Sequence, residues 1–429
     1  MRHNRAPLGM FRYRSHSILL LAAILAVALP SYAGPPTPGT VPSGEQERLS
    51  YTAGARVQTG IDVLEAENFA PLRDKRVGLI TNQTGVDSAG RRTADVLAHA
   101  PGVRLVALFS PEHGIAGVVD APVSNSTDAA TRLPVYSLFG DARRPTPEML
   151  KGLDALVFDV QDAGVRFYTY ITTMAYCMEA AAHRHISFVV LDRPDPLGGE
   201  AIEGPMLDPE RTSFVGYFPM PVRYAMTLGE LARMFNAENK IGADLRVVSM
   251  KGWRRRETFG DTGIAWIAPS PNLRTPEAAF LYPGIEILQA AGVSVGRGTE
   301  RPFEILGAPW IHAEELADAL NARKIAGVSF APARLTPHDA PYKDQECEGV
   351  TIHLGDAGLL RSMWMGLEIA DTLRRLYAQQ FQLEKMIALL GSQATIERLS
   401  RGDDPANIEA GWSSELDRFR RMREKYLLY

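Results

Sequence analysis

Cysteine is nearly absent. Cys177 and Cys347 are the only two in 429 residues, which excludes a small disulfide-stapled scaffold. In an oxidising compartment they could bond across the two halves of the chain. The apolar, helix-like surroundings of Cys177 favour two buried thiols instead, and the pair cannot hold zinc by itself. An excess of positive charge is also missing: 46 Lys and Arg against 50 Asp and Glu give a formal charge of −4, against a nucleic-acid partner. No G-x-G-x-x-G or G-x-x-x-x-G-K-[ST] occurs, and Gly296-x-Gly298 lacks the rest of either pattern, so no nucleotide cofactor is expected. No G-x-S-x-G elbow marks an α/β-hydrolase. Asp159, Asp162 and Asp192 lie near strand ends but come without a His-x-x-x-His helix or a calcium-loop pattern, so no metal is expected. Past residue 29 no apolar run is long enough to cross a bilayer.

The one long apolar run is at the start. Arg2, Arg5, Arg12 and Arg14 precede an unbroken apolar stretch from Ile18 to Leu29, and Ser31-Tyr32-Ala33 before Gly34 fits a small-x-small cleavage site. Residues 1–33 read as a signal peptide, with export to a bacterial periplasm as the simplest destination and no stable membrane insertion after cleavage. Residues 34–50 are rich in Pro, Gly, Thr and Ser, and a disordered linker is expected to run to residue 54. What remains is too long for one ordinary core. The expected division is a Rossmann-like catalytic domain over 55–275 and a smaller C-terminal α/β (α+β) domain over 276–429 that closes a cleft.

Four short apolar runs end in polar clusters. Val77-Gly78-Leu79-Ile80 leads to Thr81-Asn82-Gln83-Thr84, and Leu105-Val106-Ala107-Leu108-Phe109 to Pro111-Glu112-His113-Gly114. Ala155-Leu156-Val157-Phe158 leads to Asp159-Val160-Gln161-Asp162 with Arg166, and Phe188-Val189-Val190-Leu191 to Asp192-Arg193-Pro194-Asp195. Such runs read as strands buried on both faces of a parallel sheet, and Leu245–Val248 as a fifth. Helices are expected at 93–98, 146–150, 171–183 and, after the capping box Thr227-x-x-Glu230, to about 236. Alternating strands and helices predict an α/β, doubly wound parallel sheet. Ligands bind such sheets beyond the carboxyl ends of the strands, where the four clusters converge. Residues 262–310 read as loop-rich cleft lining that includes Asn272 and Arg297. Beyond them, helices are expected at 313–320, 359–381 and 414–427, with strands at 328–330 and 350–354.

Glu112, at a strand end before His113 and a flexible Gly114, suits a general acid or base; it could instead cap a helix starting near Gly114. Asp159-x-Gln161-Asp162-x-x-x-Arg166-x-Tyr168-x-Tyr170 is dense in binding chemistry. Arg166 can grip a carboxylate, and Tyr168 and Tyr170 offer faces on which a sugar stacks. An Asp–Arg pair that merely fixes the loop is the competing reading.

The strand-end motifs, together with Pro269-Ser270-Pro271-Asn272, Tyr282-Pro283-Gly284 and Gly296-Arg297-Gly298-Thr299-Glu300-Arg301-Pro302-Phe303, resemble the bacterial exo-β-N-acetylmuramidases, formerly a domain-of-unknown-function family. The likeness runs from about residue 57 onward. It departs at Arg223-Tyr224-Ala225-Met226, where the pattern has a His or Gly near Tyr224 or Ala225. The resemblance implies a Rossmann-like domain with a smaller partner domain and no nucleotide cofactor. It implies release of N-acetylmuramic acid from the non-reducing end of peptidoglycan fragments, with Glu112 as the catalytic residue. Peptidoglycan-derived muramyl saccharides are then the expected partners. His113, Asp159 and Asp162 are further catalytic candidates. Asn82, Gln161, Arg166, Tyr168, Tyr170, Asp192, Arg193, Asn272 and Arg297 are the candidate substrate contacts. A lactyl carboxylate needs a cation, for which Arg166, Arg193 and Arg297 compete. Asp159, Asp162, Asp192 or the substrate's own acetamido group could supply the second catalytic group. Two other functions stay open: an esterase or amidase using Ser110 beside His113, and a muropeptide receptor without turnover.

Overall fold

Six of the seven strands of the main sheet run parallel, and their order is that of a doubly wound fold. The computed structural model describes residues 57–429; the expected signal segment and linker lie outside them. The strands are β1 (Lys75–Thr81), β2 (Val103–Ser110), β3 (Ser126–Thr127), β4 (Pro134–Ser137), β5 (Ala155–Asp159), β6 (Ser187–Leu191) and, beyond the hairpin β7 (Glu203–Met206) and β8 (Pro221–Arg223), β9 (Leu245–Val248). They line up as β3-β4-β2-β1-β5-β6-β9, with only the edge pair β3–β4 antiparallel. The chain winds outward from β1 through β2 to β4, then returns to β5 on the other side of β1. The topological switch point therefore lies between β1 and β5, where open α/β sheets take their ligands.

The sequence alternation sorts the strands' side chains to two faces. Val77 and Leu79 of β1, Val157 of β5 and Val189 and Leu191 of β6 fall in one apolar cluster. It also contains Ile61 and Leu64 of α1 (Gly60–Ala66) and Leu97 of α2 (Thr93–His99). Ile80, Leu156, Phe158, Phe188 and Val190 fall in the other cluster. There they meet Met174 and Met178 of α3 (Tyr170–His183) and Leu231 and Phe235 of α4 (Leu228–Glu238). The capping box at Thr227 and Glu230 opens α4 as the sequence predicts.

The second cluster continues into the C-terminal half. It takes in Leu281 and Leu288 of α5 (Pro276–Gln289), Leu316 of α6 (Ala313–Ala322) and Met363 and Leu373 of α7 (Ser362–Leu376). It also takes in one face of a three-stranded antiparallel sheet, β10 (Ile305–Ala308), β11 (Val328–Leu335) and β12 (Cys347–Leu354), ordered β10-β12-β11. Four shorter helices follow: α8 (Ile387–Leu390), α9 (Gln393–Arg401), α10 (Pro405–Ala410) and α11 (Ser413–Arg423). Cys177 and Cys347 are separate buried thiols. No helix among the described residues is long and apolar enough to cross a membrane.

Three expectations are corrected. Residues 146–150 form a single turn rather than a helix; Gly152, at φ 75°, ends it just before β5. Residues 262–310 contain a helix of 14 residues with Pro283 inside it, as well as β10. Pro283 and Gly284 mark a helix crossing, not a loop, while residues 262–275 and 290–304 on either side are loop as expected. A Cβ on Gly284 would lie 2.0 Å from the Ser362 carbonyl oxygen, and one on Gly366 would lie 2.5 Å from that of Gly284. So α5 and α7 touch backbone to backbone, and Ser362 Oγ donates to the Phe280 carbonyl at 2.6 Å. Finally, no helix begins at Gly114, so Glu112 caps none there.

Candidate active site

Glu112 stands just past the end of β2, half-buried, in a turn where His113 and Gly114 both take left-handed backbone conformations at φ 71° and 76°. A non-glycine residue holds such a conformation only where its surroundings fix it. His113 Nδ1 lies 2.9 Å from the Val119 carbonyl and 3.5 Å from Asp120 Oδ1, which ties the turn to the loop behind it. Glu112 Oε2 accepts a hydrogen bond of 2.5 Å from Thr169 Oγ1. Thr169 is the residue before α3, yet its hydroxyl does not cap that helix. The carboxylate therefore meets the positive end of the α3 dipole through the threonine.

Tyr170 follows and is fully buried. Its hydroxyl donates to the Pro269 carbonyl at 2.5 Å and accepts from Asn82 Nδ2 at 3.1 Å. It is held between the loop after β1 and the Pro-Ser-Pro-Asn segment. Asn82 Oδ1 accepts from Thr84 N and Oγ1 at 2.9 and 2.5 Å. Tyr168, Tyr170 and Tyr282 pack edge to face, with centroids 4.8 Å apart for the first two and 5.9 Å for Tyr168 and Tyr282. The flat faces expected to stack on sugar are thus spent on one another. Burial, with Glu112 and Asp162 nearby, pushes the Tyr170 and Tyr282 phenols up and keeps them neutral donors.

Near enough to feel the charge of Glu112 lies α5, which sequence reasoning missed. Tyr282 and Glu286 lie one helical turn apart on the same face. Glu286 is 8% exposed. Its Oε1 stands 3.6 Å from Arg297 Nη1, and its Oε2 is buried without a hydrogen-bond partner. Burial raises its carboxyl to about 7, against the pull of Arg297 and with the charges of Asp120 and Glu112 adding to the rise. Arg297 Nη2 lies 3.7 Å from Asp120 Oδ2, which also accepts from Asn272 Nδ2 at 3.1 Å. Asp120 is exposed and Arg297 half-exposed, so the site opens to solvent on this side. A Tyr and a Glu four apart was the available signal for α5, and Pro283 and Gly284 obscured it.

Several predicted contacts lie elsewhere. Asp159 and Arg193 form a buried two-pronged pair, at 2.6 Å from Nε to Oδ1 and 3.0 Å from Nη2 to Oδ2, and Thr93 Oγ1 donates to Asp159 Oδ2 at 2.5 Å. Asp192 accepts from Gly229 N, Thr227 Oγ1 and Tyr429 Oη at 2.8, 2.7 and 2.7 Å. Arg166 is fully buried, and its guanidinium donates to the carbonyls of Pro205, Met220, Leu389 and Leu390 at 2.7–3.0 Å. Leu389 and Leu390 end α8, a favourable place for a cation. Gln161 Nε2 bridges the carbonyls of Asp162 and Pro194, each at 2.9 Å. These groups fasten the strand-end loops to one another, so their hydrogen bonds are directed to the chain itself. Asp162 is intermediate: Tyr224 Oη and Gly164 N donate to its Oδ2, its Oδ1 has no partner, and burial raises it to about 6. Ser110 Oγ has no hydrogen-bond partner, and no hydrogen bond joins it to His113, so no serine–histidine pair forms.

A doubly wound sheet with a half-buried carboxyl at its carboxyl rim and a second carboxyl and an arginine near it is the arrangement of an α/β enzyme, with side chains of the kind that acid–base chemistry uses. Residues 77–277 match the family model described as exo-β-N-acetylmuramidase NamZ, N-terminal, and residues 280–429 match its C-terminal counterpart. This chain belongs to the exo-β-N-acetylmuramidase family. It is 44% identical over 396 residues to the peptidoglycan β-N-acetylmuramidase NamZ of Bacillus subtilis strain 168, spanning 91% of this chain and 96% of that protein. Two crystal structures of DUF1343 family proteins from Bacteroides fragilis NCTC 9343 share the fold. One has a TM-score of 0.81 at 42% identity and the other 0.71 at 30%, each covering 87% of this chain and 99% of its own.

Proposed function

We propose that this chain releases N-acetylmuramic acid from the non-reducing end of peptidoglycan fragments, acting in cell-wall turnover after export to the periplasm. Glu112 is the general acid. As the bond between C1 and the glycosidic oxygen breaks, the proton of Glu112 passes to the leaving oxygen; over the whole reaction the oxygen of one water bonds to C1, and the proton that water sheds returns Glu112 to its acid form. The observation that carries this reading is the placement of Glu112. It is half-buried at the sheet rim, with Oε2 held by the Thr169 hydroxyl at 2.5 Å, which leaves Oε1 for the substrate. Arg297 is the cation for the lactyl carboxylate: it borders the solvent-facing side of the site, whereas Arg166 and Arg193 are directed to the chain.

The test is turnover of a defined muramyl disaccharide, followed by mass spectrometry, and of a chromogenic β-N-acetylmuraminide. Free N-acetylmuramic acid from the wild type and a loss of at least about a hundredfold in Glu112→Gln are expected, since a positioned acid contributes that much or more. An intact disaccharide would indicate a receptor and overturn the reading. A loss below about tenfold would remove Glu112 from the acid role.

A further inference from the structure

Arg297 stands between two carboxyl groups, Glu286 from α5 at 3.6 Å and Asp120 from the loop after β2 at 3.7 Å. Neither distance is a close ion pair, so the guanidinium is shared and not captured. The charged and titratable groups around Glu286 are Arg297, Asp120 and Glu112, with Tyr282 on its own helix. Asp339 also acts on Arg297. With every carboxyl ionised, this corner carries three or more negative charges and one positive charge. An anionic sugar could not dock on Arg297 there without strong like-charge repulsion. Even with Glu112 holding the proton it gives to the leaving oxygen, Glu286 and Asp120 outnumber Arg297; a second carboxyl must be neutral, and Glu286 is the one built for it: it is buried, and Oε2 has no partner. An unpartnered buried carboxyl oxygen is costly in the ionised form and is relieved by protonation and a hydrogen bond.

We propose that the lactyl carboxylate binds Arg297 together with one proton from solvent, held on Glu286 Oε2, which donates it as a hydrogen bond to the bound carboxylate. No covalent bond of the sugar changes in this step. Glu286 is thus a positioning residue that lets a site rich in acids accept an acidic sugar. The raised proton affinity that burial gives Glu286, with half-protonation near 7, puts this coupling in the neutral range. The inference rests on the muramidase reading above.

Calorimetric titration of the full chain with N-acetylmuramic acid, in two buffers of different ionisation enthalpy, measures the linked proton. At about pH 8, close to one proton taken up per N-acetylmuramic acid is expected, and none per N-acetylglucosamine. Affinity for the acidic sugar should fall about tenfold from about pH 6 to pH 8. In Glu286→Gln the uptake should vanish and the affinity become flat with pH. Asp120→Asn and Glu112→Gln each keep Glu286 and should each keep the uptake, which decides the case even if Glu286→Gln does not fold. Binding by the wild type without proton uptake overturns this inference alone, as does uptake that survives in Glu286→Gln or disappears in Asp120→Asn or Glu112→Gln. No binding of N-acetylmuramic acid at any pH overturns it together with the muramidase reading.

Discussion

The Thr169 hydroxyl donates to Glu112 Oε2 at 2.5 Å although Thr169 and Glu112 lie 57 residues apart. A threonine before a helix ordinarily turns its hydroxyl onto the helix's own free N–H groups; here that does not happen. In Thr169→Val the carboxyl loses its anchor but keeps its place in the chain. Steady-state kinetics on the muraminide should show kcat reduced about tenfold with KM nearly unchanged, as for the loss of one hydrogen bond that holds the reacting acid. A KM effect without a kcat effect would place the hydroxyl in substrate binding instead.

Arg193 and Arg297, the cation proposed for the lactyl carboxylate, differ in what holds them. Arg193→Met leaves Asp159 buried without its two-pronged partner. Thermal or denaturant unfolding should show a loss of about 3–5 kcal/mol. Arg297→Met removes a half-exposed group whose nearest carboxylates are more than 3.5 Å away. Its stability should stay near that of the wild type, while the preference for muramic over glucosamine substrates falls. Unchanged preference in Arg297→Met would return the lactyl contact to another residue.

Asp195 makes stability depend on pH in an unusual direction. Burial raises its carboxyl from 3.8 to about 7, with Asp162 adding to the rise, and its Oδ2 has no partner. The folded-state value lies above the unfolded one, so the contribution to stability is complete below about 4 and lost as pH rises through about 7. Asp195→Asn keeps an oxygen for the Leu197 N–H, which donates to Oδ1 at 2.9 Å, and removes the charge. Melting measured across pH should show the variant more stable than the wild type by on the order of 1–3 kcal/mol at about pH 8. The two should converge near pH 4. A variant less stable at high pH would mean that the ionised Asp195 is needed.

The sheet was legible because each buried strand is a short apolar run whose alternate residues meet two different cores. Val157 and Phe158 of β5, for example, belong to opposite faces. Family membership was legible for a different reason, the specific motifs at the strand ends. Assigning tasks within those motifs was harder. Asp159-Arg193 and Arg166 look like binding chemistry in one dimension, but only packing reveals that their partners come from the chain itself. Glu286 was hidden for the converse reason, because Pro283 and Gly284 read as loop until α7 lies against them. The departure at Ala225 also acquires a meaning: this residue has φ 53°, a conformation suited to glycine, and its carbonyl accepts from Arg255 and Arg423. The segment is a backbone anchor for distant arginines, and Tyr224 beside it reaches Asp162.

The crossing of Gly284 over Gly366 leaves room for no side chain on either helix at that point. Glu286 comes two residues after it and Tyr282 two before. The aim of both side chains is therefore inherited from the seating of one bare backbone on another, a fit without a rotamer to adjust. Any side chain placed at this seam would push α5 off α7 and swing Tyr282 and Glu286 with it.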